Sequence, residues 1–246
     1  HLNVEIGMNL RANRWAGAEY WVQQKHVFGL EQLIEQSELI TIGIDGGGLD
    51  DLLGFAALGR LKKDPRIWWL WNRAWANKVA LERRKENIPK YQDFEQEGSL
   101  VVVDKVGEDI DQLAIIAKQI HDSGKLDKIG LDPQGLGGLV DGLTGAGIPE
   151  EILVAVPQGH KLMGYIMTSE RKLAEGNLWH AGQQLMTWCV GNARVVMIGN
   201  AMRITKQNSG VGKIDPVIAM FNAVALMSMN PEIESKSLAS HIEKPG

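Results

Sequence analysis

The sequence predicts a mixed α/β fold, with one sheet that is antiparallel at its start and parallel afterwards, and helices on both faces. Three observations predict it. Three apolar, strand-like runs follow one another between residues 39 and 76 with short turns between them, the pattern of an antiparallel meander. Helix and strand patterns then alternate as far as residue 198, the pattern of parallel β–α units. The patterned part closes with one apolar helix beginning at Asp215. At 246 residues, 44% hydrophobic and 23% charged, the chain can bury one large core and carry an extra arm.

Residues 1–36 read as that arm. Arg11, Arg14, Trp15, Trp21, Gln23, Gln24 and Lys25 alternate with small and apolar residues without a strand period. Leu30, Leu33 and Ile34 make 29–36 a short amphipathic helix. The arm is either a linker from a preceding domain or the first helix of this one. The compact part spans residues 37–231. A β-branched run, 39–45, ends on glycines and reads as a buried strand. Runs 52–61 and 67–76 are the next two strands, with Asp64-Pro65 as the turn and Trp68, Trp69, Trp71 and Trp75 in the third strand. A charged helix is expected over 76–86 and a short strand over 100–103. In 109–123, Ile110, Leu113, Ala114, Ala117 and Ile120 fall on one helical stripe, and Gly124 stops it. Strand 127–132, helix 136–145, strand 152–156, helices 160–176 and 181–192, and strand 193–198 follow. The last helix, 215–229, is stopped by Pro231, and 232–246 reads as a frayed tail. This order is that of a ribonuclease H-like fold; composition alone also permits a doubly wound sheet.

Composition excludes several classes. The single cysteine, Cys189, allows no intramolecular disulfide and no cysteine-based zinc site, and points to a reducing compartment. No apolar stretch approaches the roughly 18–20 residues of a membrane span, and 1–10 lack a secretory pattern. Starting at His1, the chain reads as a processed product or a piece of something longer. The net charge of −4 argues against a DNA-coating protein but is compatible with a nuclease, whose acids and bases are both local.

Three aspartates sit at the edges of apolar runs far apart in the chain: Asp45 before Gly46-Gly47-Gly48, Asp132 before Pro133, and Asp215 before Pro216. A strand ending on an acid presents the carboxylate at a sheet edge, the usual ligand edge of open α/β sheets. Glycines beside Asp45 let a phosphate or ion approach the backbone. The plainer readings are a glycine turn at Asp45, an Asp-Pro turn at Asp132 and a helix N-cap at Asp215. Brought together, the three acids repel one another unless cations neutralise them. Hard ions such as Mg²⁺ take oxygen ligands of this kind, and a pair of them is a device for phosphodiester hydrolysis. Asp51 is a further acid across the expected hairpin; Asp50 is expected to face solvent. Lys206 and Lys213 lead into Asp215 through a glycine-bearing loop and are the first choice for phosphate contacts. Arg83 and Arg84, with Lys78 and Lys85, make a cationic helix face. His160 is expected at the surface. No Walker A loop exists: Gly212-Lys213 is followed by Ile214, and Gln207 stands where the first glycine belongs,.

Several short motifs in order, 42–45 with Asp51, 131–133, 178–180 leading to 188–192, and Lys206 before 214–219, make residues 40–229 resemble the C-terminal nuclease domain of a tailed-phage terminase large subunit, the DNA-packaging motor. The resemblance implies a ribonuclease H-like fold and a metal-dependent endonuclease that cuts concatemeric double-stranded DNA. It implies two divalent cations, Mg²⁺ or Mn²⁺, held by Asp45, Asp132 and Asp215, with Asp51 as a possible fourth ligand. It further implies an ATPase domain in the full protein, portal and terminase small-subunit partners, and action in the cytoplasm of the bacterial host. Missing ATPase motifs fit a chain that is only the nuclease part. A junction resolvase or transposase core would use the same acids, and a motor-docking module would use them only as turns and caps.

Overall fold

The computed structural model describes residues 13–83, 85–134, 136–206 and 212–233. In chain order the elements are α1 (Gly17–Tyr20), α2 (Leu30–Gln36), β1 (Ser37–Gly46), β2 (Leu52–Leu61), β3 (Trp68–Asn77), α3 (Lys78–Arg83), α4 (Ile88–Glu97) and β4 (Leu100–Val103). There follow α5 (Glu108–Asp122), β5 (Leu126–Leu131), α6 (Leu136–Gly145), β6 (Leu153–Ala155), α7 (Met163–Ala174), β7 (Leu178–His180), α8 (Gln184–Asn192), β8 (Ala193–Ile198), β9 (Ala201–Lys206) and α9 (Asp215–Met227).

The main sheet runs β4-β3-β2-β1-β5-β6, with β7 also paired to β3. β1, β2 and β3 form the expected antiparallel meander; β5 lies parallel to β1, and β6 parallel to β5. β2 is buried along its whole length, as its run of apolar residues and glycines from Leu52 to Gly59 requires when both faces are covered; Arg60, near its end, is buried against Glu38. Alternation along β1 divides the two cores. Ile40, Ile42 and Ile44 face a core built with Leu113, Ala117 and Ile120 of α5. The intervening residues face α9, which packs over β1, β2 and β5, as the two-residue strand period demands.

α9 is apolar almost all round and buried on nearly every side. It can approach the sheet closely because glycines lie beneath it. A Cβ on Gly43 would stand 1.9 Å from the Ala219 carbonyl oxygen, and one on Gly54 would stand 2.7 Å from the Asp215 carbonyl carbon. The Thr41 hydroxyl donates to the Ala223 carbonyl at 2.9 Å. The described part of the expected arm, 13–36, packs into the same core: Trp15 and Trp21 are buried, and Trp15 meets Phe221 of α9 edge-on at 5.3 Å.

The structure corrects some expectations. The helix expected over 76–86 breaks up, because β3 runs on to Asn77 and a 3₁₀ turn (Lys85–Asn87) follows α3. Of the expected cationic face, Lys78 and Arg83 lie on α3 and Lys85 lies in the 3₁₀ turn, and Arg84 lies outside the described residues. α4, β7 and β9 were not expected. α4 carries its signal weakly, with Tyr91 and Phe94 as its buried residues and Gly98 in the left-handed region as its stop,. β8 is a strand as expected, but pairs with β9 in a two-stranded sheet apart from the main one. Most of the loop expected before Asp215 (207–211) and most of the expected tail (234–246) lie outside the described residues.

Candidate metal centre

Register brings the first two acids to one edge. Ile44 of β1 pairs with Leu131 of β5 in parallel, so Asp45 and Asp132, each the next residue, leave the sheet side by side. Asp51 directly precedes β2 and lies across the hairpin turn from Asp45, with Gly46 opposite Leu53. Gly46 has a φ of +86°, and a Cβ there would stand 2.1 Å from the Leu52 carbonyl oxygen and 3.1 Å from Asp215 Oδ1. Only glycine fits that turn without strain. Asp215 arrives from the opposite direction, as the first residue of α9. Its backbone rests on Gly54, which is the cross-strand partner of Asp45.

Asp45, Asp51, Asp132 and Asp215 consequently line one cavity of about 300 Å³, together with Lys206 and Lys213. Asp45 and Asp132 also border an adjoining cavity of about 240 Å³, walled by Gly47, Leu53, Ile110 and Leu139. Burial first, and then the negative charges of Asp215, Asp132 and Asp51, push the Asp45 carboxyl well above the usual carboxylate range. Burial and then Asp51 push Asp215 up to about 6, against the opposing pull of Lys213 and Lys206. Desolvation and like charge both penalise the ionised form, and nearby cations restore it.

The turn readings survive beside the site reading in one case and fail in another. At Asp132 the Gln134 backbone N–H donates to Oδ1 at 2.9 Å, an Asx turn that coexists with a cleft-facing carboxylate. At Asp215 the N-cap position falls on Ile214, and no side-chain cap bond is present. The expected N-cap role of Asp215 is thus replaced by a first-turn position.

The expected cations divide. Lys206, the last residue of β9, is exposed at the cavity rim. Lys213 is only 2% exposed, and its ammonium donates to the Asp50 carbonyl at 2.7 Å and to the Asp51 carboxylate. It belongs to the cavity wall rather than to an open phosphate-binding surface. Asp50, expected to face solvent, is half-buried. Arg83 is exposed at the end of α3 and borders neither cavity; His160 is exposed.

Sequence reasoning missed one buried pair. Asn222 is fully buried; its Nδ2 donates to the Ile44 carbonyl at 2.9 Å, and its Oδ1 accepts from Gln158 Nε2 at 2.8 Å. The pair ties α9 to the end of β1, one residue before Asp45. The signal was present, since Asn222 is the only polar residue from Pro216 to Met227. A lone amide in a helix apolar all round needs a buried partner.

Donor chemistry fits hard divalent cations: carboxylates converge on one cavity and gain from neutralisation. The set is open, however. Among the described residues no three His, Cys, Asp or Glu side chains are drawn together into a ready coordination group. Strand register and the seating of α9 bring the acids to one cavity against their mutual repulsion, which a bound cation would relieve.

Residues 31–231 match the family model described as terminase large subunit, endonuclease domain. The large terminase of bacteriophage HK97 superposes with a TM-score of 0.64 at 21% identity, covering 82% of this chain and 43% of that one. The large terminase nuclease of thermophilic phage G20c superposes at 0.50 and 14% identity, covering 76% and 81%. Protein YmfN of Escherichia coli K12 is 26% identical over 187 residues, 74% of this chain and 39% of its own length. The chain therefore spans about two fifths of that curated relative. These likenesses identify the fold as ribonuclease H-like.

Proposed function

The chain belongs to the family of terminase large subunit endonuclease domains, and from that premise we propose that it hydrolyses phosphodiester bonds of double-stranded phage DNA during genome packaging, using divalent cations held by Asp45, Asp132 and Asp215. The observation that carries the proposal is the convergence of these acids and Asp51, from a hairpin, a second strand and a helix start, on one cavity. When bound, Mg²⁺ or Mn²⁺ neutralises the cluster and supplies Lewis acidity toward the phosphodiester.

The chain's own residues do the rest. Asp45 stands between Asp132, just past the end of the neighbouring strand, and Asp215 on α9, and with them would hold the cations. The N-terminus of α9 carries a partial positive charge beside Asp215 and favours its ionised carboxylate. Lys206 at the rim supports a phosphate contact on the approaching strand. Backbone-only walls at Gly46 and Gly47 leave room for that strand to come close. Among the described residues nothing at this edge resembles a base-reading element, so the cut depends little on sequence.

The body doing this work is residues 37–231 together with the segment 13–36 packed into its core. The longer protein would add an ATPase domain, portal and terminase small-subunit partners, and the host cytoplasm as its setting. Among the described residues no helix is long and apolar enough to cross a membrane. The test is plasmid cleavage with Mn²⁺ or Mg²⁺, with and without chelator, for wild type and Asp45→Asn. Metal-dependent nicking that the substitution abolishes is expected; equal nicking by both proteins refutes the role of Asp45.

A further inference from the structure

Lys213 stands out among the cations because it is buried inside the acidic cavity rather than exposed around it. Its ammonium is held between the Asp50 carbonyl at 2.7 Å and the Asp51 carboxylate, while Asp51 itself remains 48% exposed at its side chain. Asn192 Nδ2 donates to the Lys213 carbonyl at 3.1 Å, and a Cβ on the preceding Gly212 would stand 3.0 Å from the Asn192 side chain. The backbone beneath Lys213 is thus packed and anchored to α8. Two residues later the chain enters α9 with Asp215. The lysine is therefore aimed into the cluster by a fixed segment; it has not simply collapsed onto it.

A burial this complete for an ammonium requires paired negative charge, and a cluster of carboxylates requires positive charge. Resting on the metal-site reading above, we infer that Lys213 is a built-in counter-ion and positioning residue: it holds Asp51 out of the cation-binding set, so that the folded cluster is partly neutralised without metal and Asp51 joins the set only when the Lys213–Asp51 pair opens. Asp45, Asp132 and Asp215 are the ligands of the resting site. Asp51 is a latent one, masked by a side chain of the same protein. One consequence is a weaker hold on free cations in the absence of substrate than four unmasked carboxylates would give.

The test reads cation binding by thermal shift, so it does not depend on cleavage. Tm is followed against Mn²⁺ concentration for wild type, Lys213→Met, Lys213→Arg, Asp51→Asn and the double variant Lys213→Met/Asp51→Asn. Removing the ammonium should lower the half-maximal Mn²⁺ concentration by about tenfold, since a neighbouring positive charge is lost and a carboxylate gained. Lys213→Arg should keep the wild-type midpoint. The gain should vanish in the double variant if the lysine acts through Asp51. An unchanged or raised midpoint for Lys213→Met, or a gain that persists without Asp51, overturns the inference while leaving the metal site standing. No Mn²⁺-dependent shift in any variant removes the metal site and this inference with it. Should Lys213→Met fail to fold, Mg²⁺ titration of wild type followed at the Lys213 side-chain Nζ resonance decides: a change is expected, and none while the Asp45 region responds overturns the inference.

Discussion

The backbone of Asp215 rests on Gly54: a Cβ at position 54 would stand 2.7 Å from the Asp215 carbonyl carbon and 2.7 Å from the Pro216 nitrogen. Gly54 is also the cross-strand partner of Asp45. A missing side chain on β2 thereby sets how near the first acid and the last come to each other.

Gly54→Ala should push the start of α9 off the sheet. Backbone cannot yield as a flexible side chain does, so the cost is about 2–3 kcal/mol, a fall in Tm of roughly 4–12 °C. The Mn²⁺-induced rise in Tm should shrink as well, because Asp215 moves. Gly137→Ala in α6, where an added Cβ meets nothing within 4 Å, is the control and should stabilise by about 0.5–1 kcal/mol. Thermal melts of the two proteins check both statements, and equal melts would sink the first.

Asn222→Leu removes an amide that serves two partners. It removes one bond from the Ile44 carbonyl and one from Gln158, whose Nε2 keeps its bond to the Val156 carbonyl, a loss of about 2 kcal/mol. Gln158→Ala should cost little once Asn222 is gone, and urea unfolding of the double-mutant cycle measures that coupling. Additive losses would show that the two side chains do not act as a unit.

Asp215 sets a pH dependence whose sign follows from its raised pKa. The folded carboxyl titrates near 6 and the unfolded one near 3.9, so the folded state binds more protons between these values. Stability from this group is therefore present below about pH 4 and is lost as pH rises through about 6. In chelator, Asp215→Asn should be more stable than wild type at pH 7.5, by on the order of 1–3 kcal/mol, with the gap closing at pH 4. Millimolar Mn²⁺ should reverse the order at pH 7.5, since the ion stabilises only the protein that keeps the carboxylate. Melts at both pH values with and without metal check this.

Lys206→Ala should leave Tm nearly unchanged, because the side chain is exposed,. Duplex binding should weaken about equally for unrelated sequences, and the slope of log Kd against log salt should fall by roughly 0.9, one phosphate contact. Arg83→Ala, which borders neither cavity, should leave that slope as it is. Fluorescence anisotropy across a salt series separates the two, and a larger loss for Arg83→Ala would move the DNA path to α3.

The meander, the β–α alternation after it, the closing apolar helix and the acids at element boundaries were legible in the chain, because strand and helix periods and glycine and proline stops are local signals. The sequence also carried the family resemblance. It did not reveal α4, β7 or β9: a three-residue strand such as Leu178–His180 forms only because β3 offers an edge to pair with. Nor did it distinguish Lys213 from Lys206, two lysines of equal charge seven residues apart. Packing put one of them against Asp51 and left the other at the rim, because burial is set by what surrounds a side chain and not by its neighbours in the chain. The meeting of Asp45 and Asp215 is likewise a tertiary fact. Their closeness depends on α9 lying on Gly43 and Gly54, and the space those glycines leave exists only once helix and sheet are stacked.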